Sequence, residues 1–289
     1  MAALSSRTAR QRLVCCFAAL QLLGLTPAAA QLLPSHTLSI PRTSPSHFDW
    51  GLSTGLNVSA GNYGAKCAVN IKSVTCNTTG TTLIELPMTV MLQAGRLRME
   101  VTASFINIQG PGKISDNYFF PVVMAPSATE PKHRSGLGDF TIGGAWLLHR
   151  EDAFVPAIEI GGIAKLPTAS SGLGTGKGDF GAQLNLYRTL TPWLTAYGSL
   201  GYLWIGDINT VKLHSGAHAT AGVDVRIASF GGGAMLDLQQ STWQGAPDYA
   251  SLNPYFTWHF LGGVGVTLYT TIGLTRASPS HGFGVRLSL

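Results

Sequence analysis

The decapeptide RLRMEVTASF, Arg96 to Phe105, alternates without a fault. Leu97, Met99, Val101, Ala103 and Phe105 fall on one side, and Arg96, Arg98, Glu100, Thr102 and Ser104 on the other. Period two is that of a β-strand, whose successive side chains point to opposite faces. In PAIEIGGIAKL, Ile158, Ile160, Gly162, Ala164 and Leu166 share one face, opposite Glu159 and Lys165; in DFGAQLNLY, Phe180, Ala182, Leu184 and Leu186 alternate with Asp179, Gln183 and Asn185. Charged residues make up only 11 % of the chain and glycines number 35. After the first thirty residues no stretch approaches the ~20 consecutive apolar residues of a spanning helix. Apolar content that is high yet dispersed at period two predicts an all-β protein, a transmembrane antiparallel up-and-down β-barrel with alternating lipid and lumen faces. A soluble sandwich alternates as well, because period two reports only a half-buried face.

The N-terminus implies export. Arg7, Arg10 and Arg12 precede the apolar run LVCCFAALQLLGL, and Ala28-Ala29-Ala30 before Gln31 is a small-residue cleavage site, so 1–30 reads as a secretory signal peptide and 31–47 as an N-terminal periplasmic segment. Cys15 and Cys16 would leave with the signal. Cys67 and Cys76 remain, flanking a short alternating hairpin, and are most simply one disulfide formed in an oxidising compartment. No second Cys/His pair has zinc-ligand spacing, so neither a metal nor a cofactor is expected. Without the three signal arginines the chain carries 16 basic and 14 acidic residues. That near-neutral balance offers no field for nucleic acid.

Connections separate a barrel from a sandwich. Strands are expected near 48–59, 82–93, 96–107, 138–149, 154–167, 178–190, 193–206, 215–227, 230–240, 251–260, 262–273 and 282–289. Tight links at Ala94-Gly95, Arg150 to Ala153, Thr191-Pro192, Ala228-Ser229 and Leu261 alternate with long ones at 60–81, 108–137, 168–177, 207–214, 241–250 and 274–281. Short periplasmic turns and long outer loops are the habit of bacterial outer-membrane barrels. About 12 strands result, with 48–289 as the barrel and both ends periplasmic. Trp50, Trp146, Trp204 and Trp258 lie near strand ends, where interfacial girdles form. A barrel of this kind has outer-membrane lipids, the insertion machinery and small-molecule solutes as its partners.

The stretch KLPTASSGLGTGKGDFG, Lys165 to Gly181, invites a phosphate-loop reading and fails it. Gly176-Lys177 is followed by Gly178 instead of Ser or Thr, position 171 is Ser, and a strand follows where a helix is needed. Taken with GLGDFTIGGAW (Gly136 to Trp146), it instead resembles an outer-membrane transporter family associated with the meta-pathway of phenol degradation. In that family a G-L-G-D strand start precedes a K-L-P-T strand end, a glycine-rich loop and a second strand start. Leu83 to Gly112 is similar to that family's first periplasmic hairpin and SPSHGFGVRLSL to its last strand. The chain departs from the pattern in ending on Leu289 and in the Cys67/Cys76 pair. Pro167 would end the ladder, since it cannot donate, and the glycines would permit a reversal that leaves Lys177 and Asp179 at the outer mouth.

The candidate lumen-lining set is Glu85, Arg96, Arg98, Glu100, Asp139, Glu159, Lys165, Asp179, Asp224, Arg226, Asp237 and Arg286. Ions of both signs buried together must pair or stay wet, so the lining is either a water-filled pore or a salt-bridged plug. Connection 108–137 is the longest candidate to fold into the mouth. The function expected is a non-enzymatic channel for passive movement of small molecules; the aromatic or apolar substrate class is what the resemblance implies. A structural, non-conducting barrel is the alternative. An outer-membrane lipid hydrolase is weaker, because His214-Ser215 is the only adjacent pair and neighbours on a strand face opposite ways.

Overall fold

A strand crossing lipid has no water to satisfy its backbone, so its ladder must be complete on both sides. The computed structural model describes residues 48–61, 67–70, 73–76, 80–110, 113–115, 122–124, 133–206, 213–242, 247–260 and 264–289. They form seventeen strands: β1 (Phe48–Gly61), β2 (Cys67–Asn70), β3 (Ser73–Cys76), β4 (Thr81–Ala94), β5 (Leu97–Gln109), β6 (Lys113–Ser115), β7 (Val122–Met124), β8 (His133–Leu137), β9 (Phe140–His149), β10 (Ala157–Leu166), β11 (Asp179–Thr191), β12 (Leu194–Trp204), β13 (Gly216–Ile227), β14 (Phe230–Gln239), β15 (Tyr249–His259), β16 (Gly265–Gly273) and β17 (His281–Ser288). Every neighbour in the large sheet is antiparallel. The sheet runs from β4 through β1 and β17 round to β5, and the β4–β5 pairing closes it. The first and last strands meet directly, Ser53 opposite Ser288. Strands β8 and β9 both lie along β5 and form one interrupted stave. The result is the expected closed barrel of twelve staves, with that one extra strand.

Two strand starts differ from the sequence reading for a local reason. The fourth stave begins at His133 within the supposed connection 108–137, because the edge of β5 from Phe105 to Gln109 needs a partner. Inside that connection β6 and β7 pair as a small hairpin; whether its remainder enters the mouth lies outside the described residues. Strand β10 begins at Ala157, because Asp152 holds the turn before it. Its carboxylate accepts the Phe154 and Val155 N–H groups at 2.8 Å each. The bonds from Val155 and then Phe154 hold the carboxyl below the usual carboxylate range. Arg188 adds bonds to the Asp152 and Ala153 carbonyls at 2.8 and 2.7 Å. The expected signal peptide, 1–30, and periplasmic segment, 31–47, lie outside the described residues.

Alternation shows in the burial of every long strand. On β5 Leu97, Met99, Val101 and Phe105 are exposed, while Arg98, Glu100 and Ser104 are buried. Exposed aromatics mark both rims. Phe48, Trp50, Trp146, Trp193, Phe230 and Trp258 lie towards the turn end, and Phe140, Phe180, Tyr202, Trp204 and Phe283 towards the loop end. Trp258 packs on Phe260 with ring centroids 4.2 Å apart. These amphipathic belts sit where a bilayer meets water.

Two tight turns solve the same problem differently. Gly95 opens the β4–β5 turn at φ 60° without steric cost, but the β13–β14 turn begins on Ala228 at φ 53°. A left-handed Cβ residue costs roughly 1–2 kcal/mol, of which glycine's extra unfolded freedom returns about half. Ala228→Gly should therefore stabilise the barrel by about 0.5–1 kcal/mol, read as a raised midpoint of urea unfolding in lipid vesicles monitored by tryptophan fluorescence.

Candidate functional site: the barrel interior

Parity sends one polar face of each strand inward, and those side chains meet in layers. In the lower layer the Arg98 guanidinium donates to Glu159 at 2.7 Å, with both side chains only 2 % exposed. Glu159 also accepts from Asn185 at 3.0 Å and from the Tyr187 hydroxyl at 3.2 Å. Glu100 is buried beside this pair, within the electrostatic reach of Arg98 and Arg286. Arg286 lies over the Tyr269 ring, 5.9 Å from its centroid. A charge so dry must have a partner, and every cation in this layer has one.

Tyrosines fill the space beside the charges. Tyr187, Tyr197, Tyr255 and Tyr269 cluster with Leu147, Ala157 and Met235. Tyr187 stands opposite Tyr197, and Tyr255 opposite Tyr269. Across the ladder Tyr197 faces Gly222, Tyr255 faces Gly233 and Tyr269 faces Gly284, and a Cβ at any of these glycines would strike the ring. The rings lie on bare backbone because only glycine admits them. Their hydroxyls remain polar handles: Tyr255 donates to Asp224 at 2.7 Å. Higher up, Asp237 accepts from Thr220 at 2.9 Å and from Asn253 at 2.7 Å.

A second ionic layer lies at the loop end. Lys165 reaches Asp179 at 2.6 Å and Asp139 at 3.3 Å, and all three side chains are at most 2 % exposed. Asp139 accepts the Ala169 N–H at 2.8 Å, and Asp179 the Gly206 N–H at 3.0 Å. The glycine-rich segment lies across this triad. Gly172 and Gly176 turn it at φ 81° and 69°, and Gly174 approaches so closely that a Cβ would crowd Ala169 and Asp139. The stretch from Lys165 to Gly181 thus has an architectural job. Lys177 is exposed in the loop, while Asp179 is buried beneath it.

Of the lumen-lining candidates, Arg98, Glu100, Asp139, Glu159, Lys165, Asp179, Asp224, Asp237 and Arg286 are buried inside the barrel. Glu85 is half-buried, accepting from Ser104 at 2.8 Å and from Asn57 at 3.2 Å. Two require correction. Arg96 occupies the turn after Gly95, exposed, and reaches the Leu148 carbonyl at 3.4 Å; the strand starts one residue later than alternation suggested. Arg226 has inward parity but lies exposed at the end of β13, where the ladder is closing into its turn. Charge does not mark the tyrosines, His218 or Leu173, although Tyr187 continues the Asp179, Gln183, Asn185 parity. Ser215, beside His214, accepts the Ile205 N–H at 3.2 Å.

Comparison with solved structures gives the same architecture. An outer membrane channel from Pseudomonas putida F1 superposes with a TM-score of 0.62 at 11 % identity, covering 88 % of this chain and 97 % of that one. The fold is that of an outer-membrane channel barrel. Two monoaromatic hydrocarbon channels align more loosely: CymD (TM-score 0.47, 10 % identity, 93 % and 91 % covered) and a mutant of TodX (0.44, 11 %, 83 % and 88 %). No family model and no curated protein matches the sequence.

A wet pore leaves its lining exposed to water. Around Arg98–Glu159 and Lys165–Asp139–Asp179 the interior is instead a packed, ion-paired plug. Arg98→Met should strand the buried Glu159 and cost about 3–5 kcal/mol of unfolding free energy, whereas Arg98→Met with Glu159→Leu should recover most of it. Urea titration of the three proteins in vesicles checks this.

Proposed function

We propose that the chain is an outer-membrane channel for the passive movement of small, uncharged molecules, apolar and aromatic ones foremost. The observation that carries this reading is an interior whose buried cations Arg98 and Lys165 are held in ion pairs while uncharged ring and alkyl surface fills the gaps between them. An ion passing such a plug would have to shed its water beside fixed pairs, whereas an uncharged solute has only packing to displace. The fold shared with an outer membrane channel supports the location. The resemblance of Gly136 to Leu184 to transporters of the phenol meta-pathway supports the aromatic class. The surrounding lipid, the insertion machinery and the absence of catalysis belong to the same reading.

Uptake decides it. Cells lacking the protein should take up a radiolabelled small monoaromatic several-fold more slowly than cells expressing it, because the intact outer leaflet slows apolar solutes. Equal rates at equal barrel content would favour a second reading, a structural non-conducting barrel, which the dryness of Arg98 and Glu159 also suits.

We assign residues 1–30 as the export signal and Cys67–Cys76 as a disulfide. The two cysteines are directly opposed across the β2–β3 hairpin, and facing strand positions lie ~4.5–5.5 Å apart at Cα, within disulfide reach. Closing so short a loop would add up to about 3 kcal/mol to that loop's stability. Intact-mass analysis of exported protein should find no alkylatable thiol. Two alkylated cysteines would refute the bond.

A further inference from the structure

Three of the four charged residues of the motifs GLGD, KLPT and GKGD, namely Asp139, Lys165 and Asp179, are separated in sequence and meet in one dry triad. Their placement is specific to the loop between β10 and β11. Lys165 and Asp179 are a directly opposed pair at the two feet of that loop, and Asp139 grips its body through the Ala169 N–H. Ser170 and Thr168 continue the grip: the Ser170 N–H donates to the Leu137 carbonyl at 2.8 Å, and the Phe140 N–H to the Thr168 hydroxyl at 2.8 Å. So fastened, the loop drives one side chain inward. Leu173 is 1 % exposed, seated against Ile106 and Ile108 with Leu83 and Ala169 beside them.

That seat is unusual for its strand. Lower on the same inner face, β5 presents Arg98, Glu100 and Ser104; at the loop end it turns aliphatic with Ile106 and Ile108. The apolar patch lies at the mouth, and what covers it is a side chain from a loop, held by ions at its base. Gly136 leaves room for this arrangement, since a Cβ there would crowd Ser170 and Leu173.

We infer that the Leu173 seat is the first binding site for the transported solute, that Leu173 occupies it as a stopper, and that the Lys165–Asp139–Asp179 triad holds the stopper in place. The inference rests on the channel reading and gives it a substrate chemistry at the mouth: a compact, uncharged apolar group comparable to a leucine side chain. A solute that prefers the seat vacated by Leu173 shifts the loop towards its displaced state, and a solute without that preference shifts nothing.

The test is the accessibility of position 173 in outer membranes of intact cells. The full chain carrying Leu173→Cys is exposed to a membrane-impermeant maleimide, against the parent as background. Toluene should speed labelling about tenfold, the shift expected of a solute favouring the displaced state by that factor; glycerol, polar and compact, should leave it unchanged. Lys165→Met in the same background should give fast labelling without solute. The toluene arm leaves the triad intact, so it decides the matter even where Lys165→Met fails to insert. Labelling indifferent to toluene, or raised equally by glycerol, overturns the inference, as does slow labelling in an inserted Lys165→Met protein. Labelling that responds to toluene in a barrel that imports no monoaromatic supports the Leu173 stopper and its apolar seat and contradicts the channel reading, so the two fail separately.

Discussion

Backbone hydrogen bonding in a medium without water is the constraint on which everything else here depends. An unpaired N–H or C=O in hydrocarbon costs several kcal/mol, roughly what a whole domain has to spare. The chain meets it by closing β4 on β5 and β1 on β17, so that among the described residues of the large sheet only the short β8 at the loop end pairs with a strand on one side alone. Closure then decides where each side chain goes. With one face committed to lipid, the other must hold the strand charges at membrane depth, and a single-residue slip would send Arg98 and Glu159 into hydrocarbon.

The enclosed charges therefore organise the interior. Each layer is built round a cation from one strand and carboxylates from others: Arg98 of β5 with Glu159 of β10, and Lys165 of β10 with Asp179 of β11 and Asp139 before β9. Such pairs hold registry more than they add stability, because desolvation consumes most of the Coulombic gain. Tyrosine rings seated on glycines occupy what the ions leave. The glycine-rich loop that invites a phosphate-loop reading meets a need for close approach at Gly174 against Asp139, as Gly222, Gly233 and Gly284 do beneath the rings.

How far the sequence discloses this follows from what alternation can and cannot report. Period two in RLRMEVTASF is a property of the strand alone, so the faces of Arg98 and Glu100 were legible. Alternation continues through a turn in letters though not in space, so Arg96 was misread; Gly95 was the signal that the strand had ended. The end of β10 was legible from Pro167, and its start was not, because Asp152 acts on backbone two and three residues away. Parity says that Lys165 and Asp139 both face inward. It cannot say that they touch, since contact across the interior depends on how the whole barrel closes. Leu173 was beyond reach for the opposite reason, a lone apolar residue in a polar loop with no period to betray it.

The central claim is that fixed, dry ion pairs close the interior to hydrated ions while leaving it yielding to uncharged solutes. Single-channel recording of the unmodified protein in planar bilayers tests this most directly. The account predicts a silent baseline at low voltage, with no steady ohmic current after insertion has been verified. A stable, porin-like conductance would contradict it, for water and ions would then be passing where Arg98, Glu159 and Lys165 are held dry.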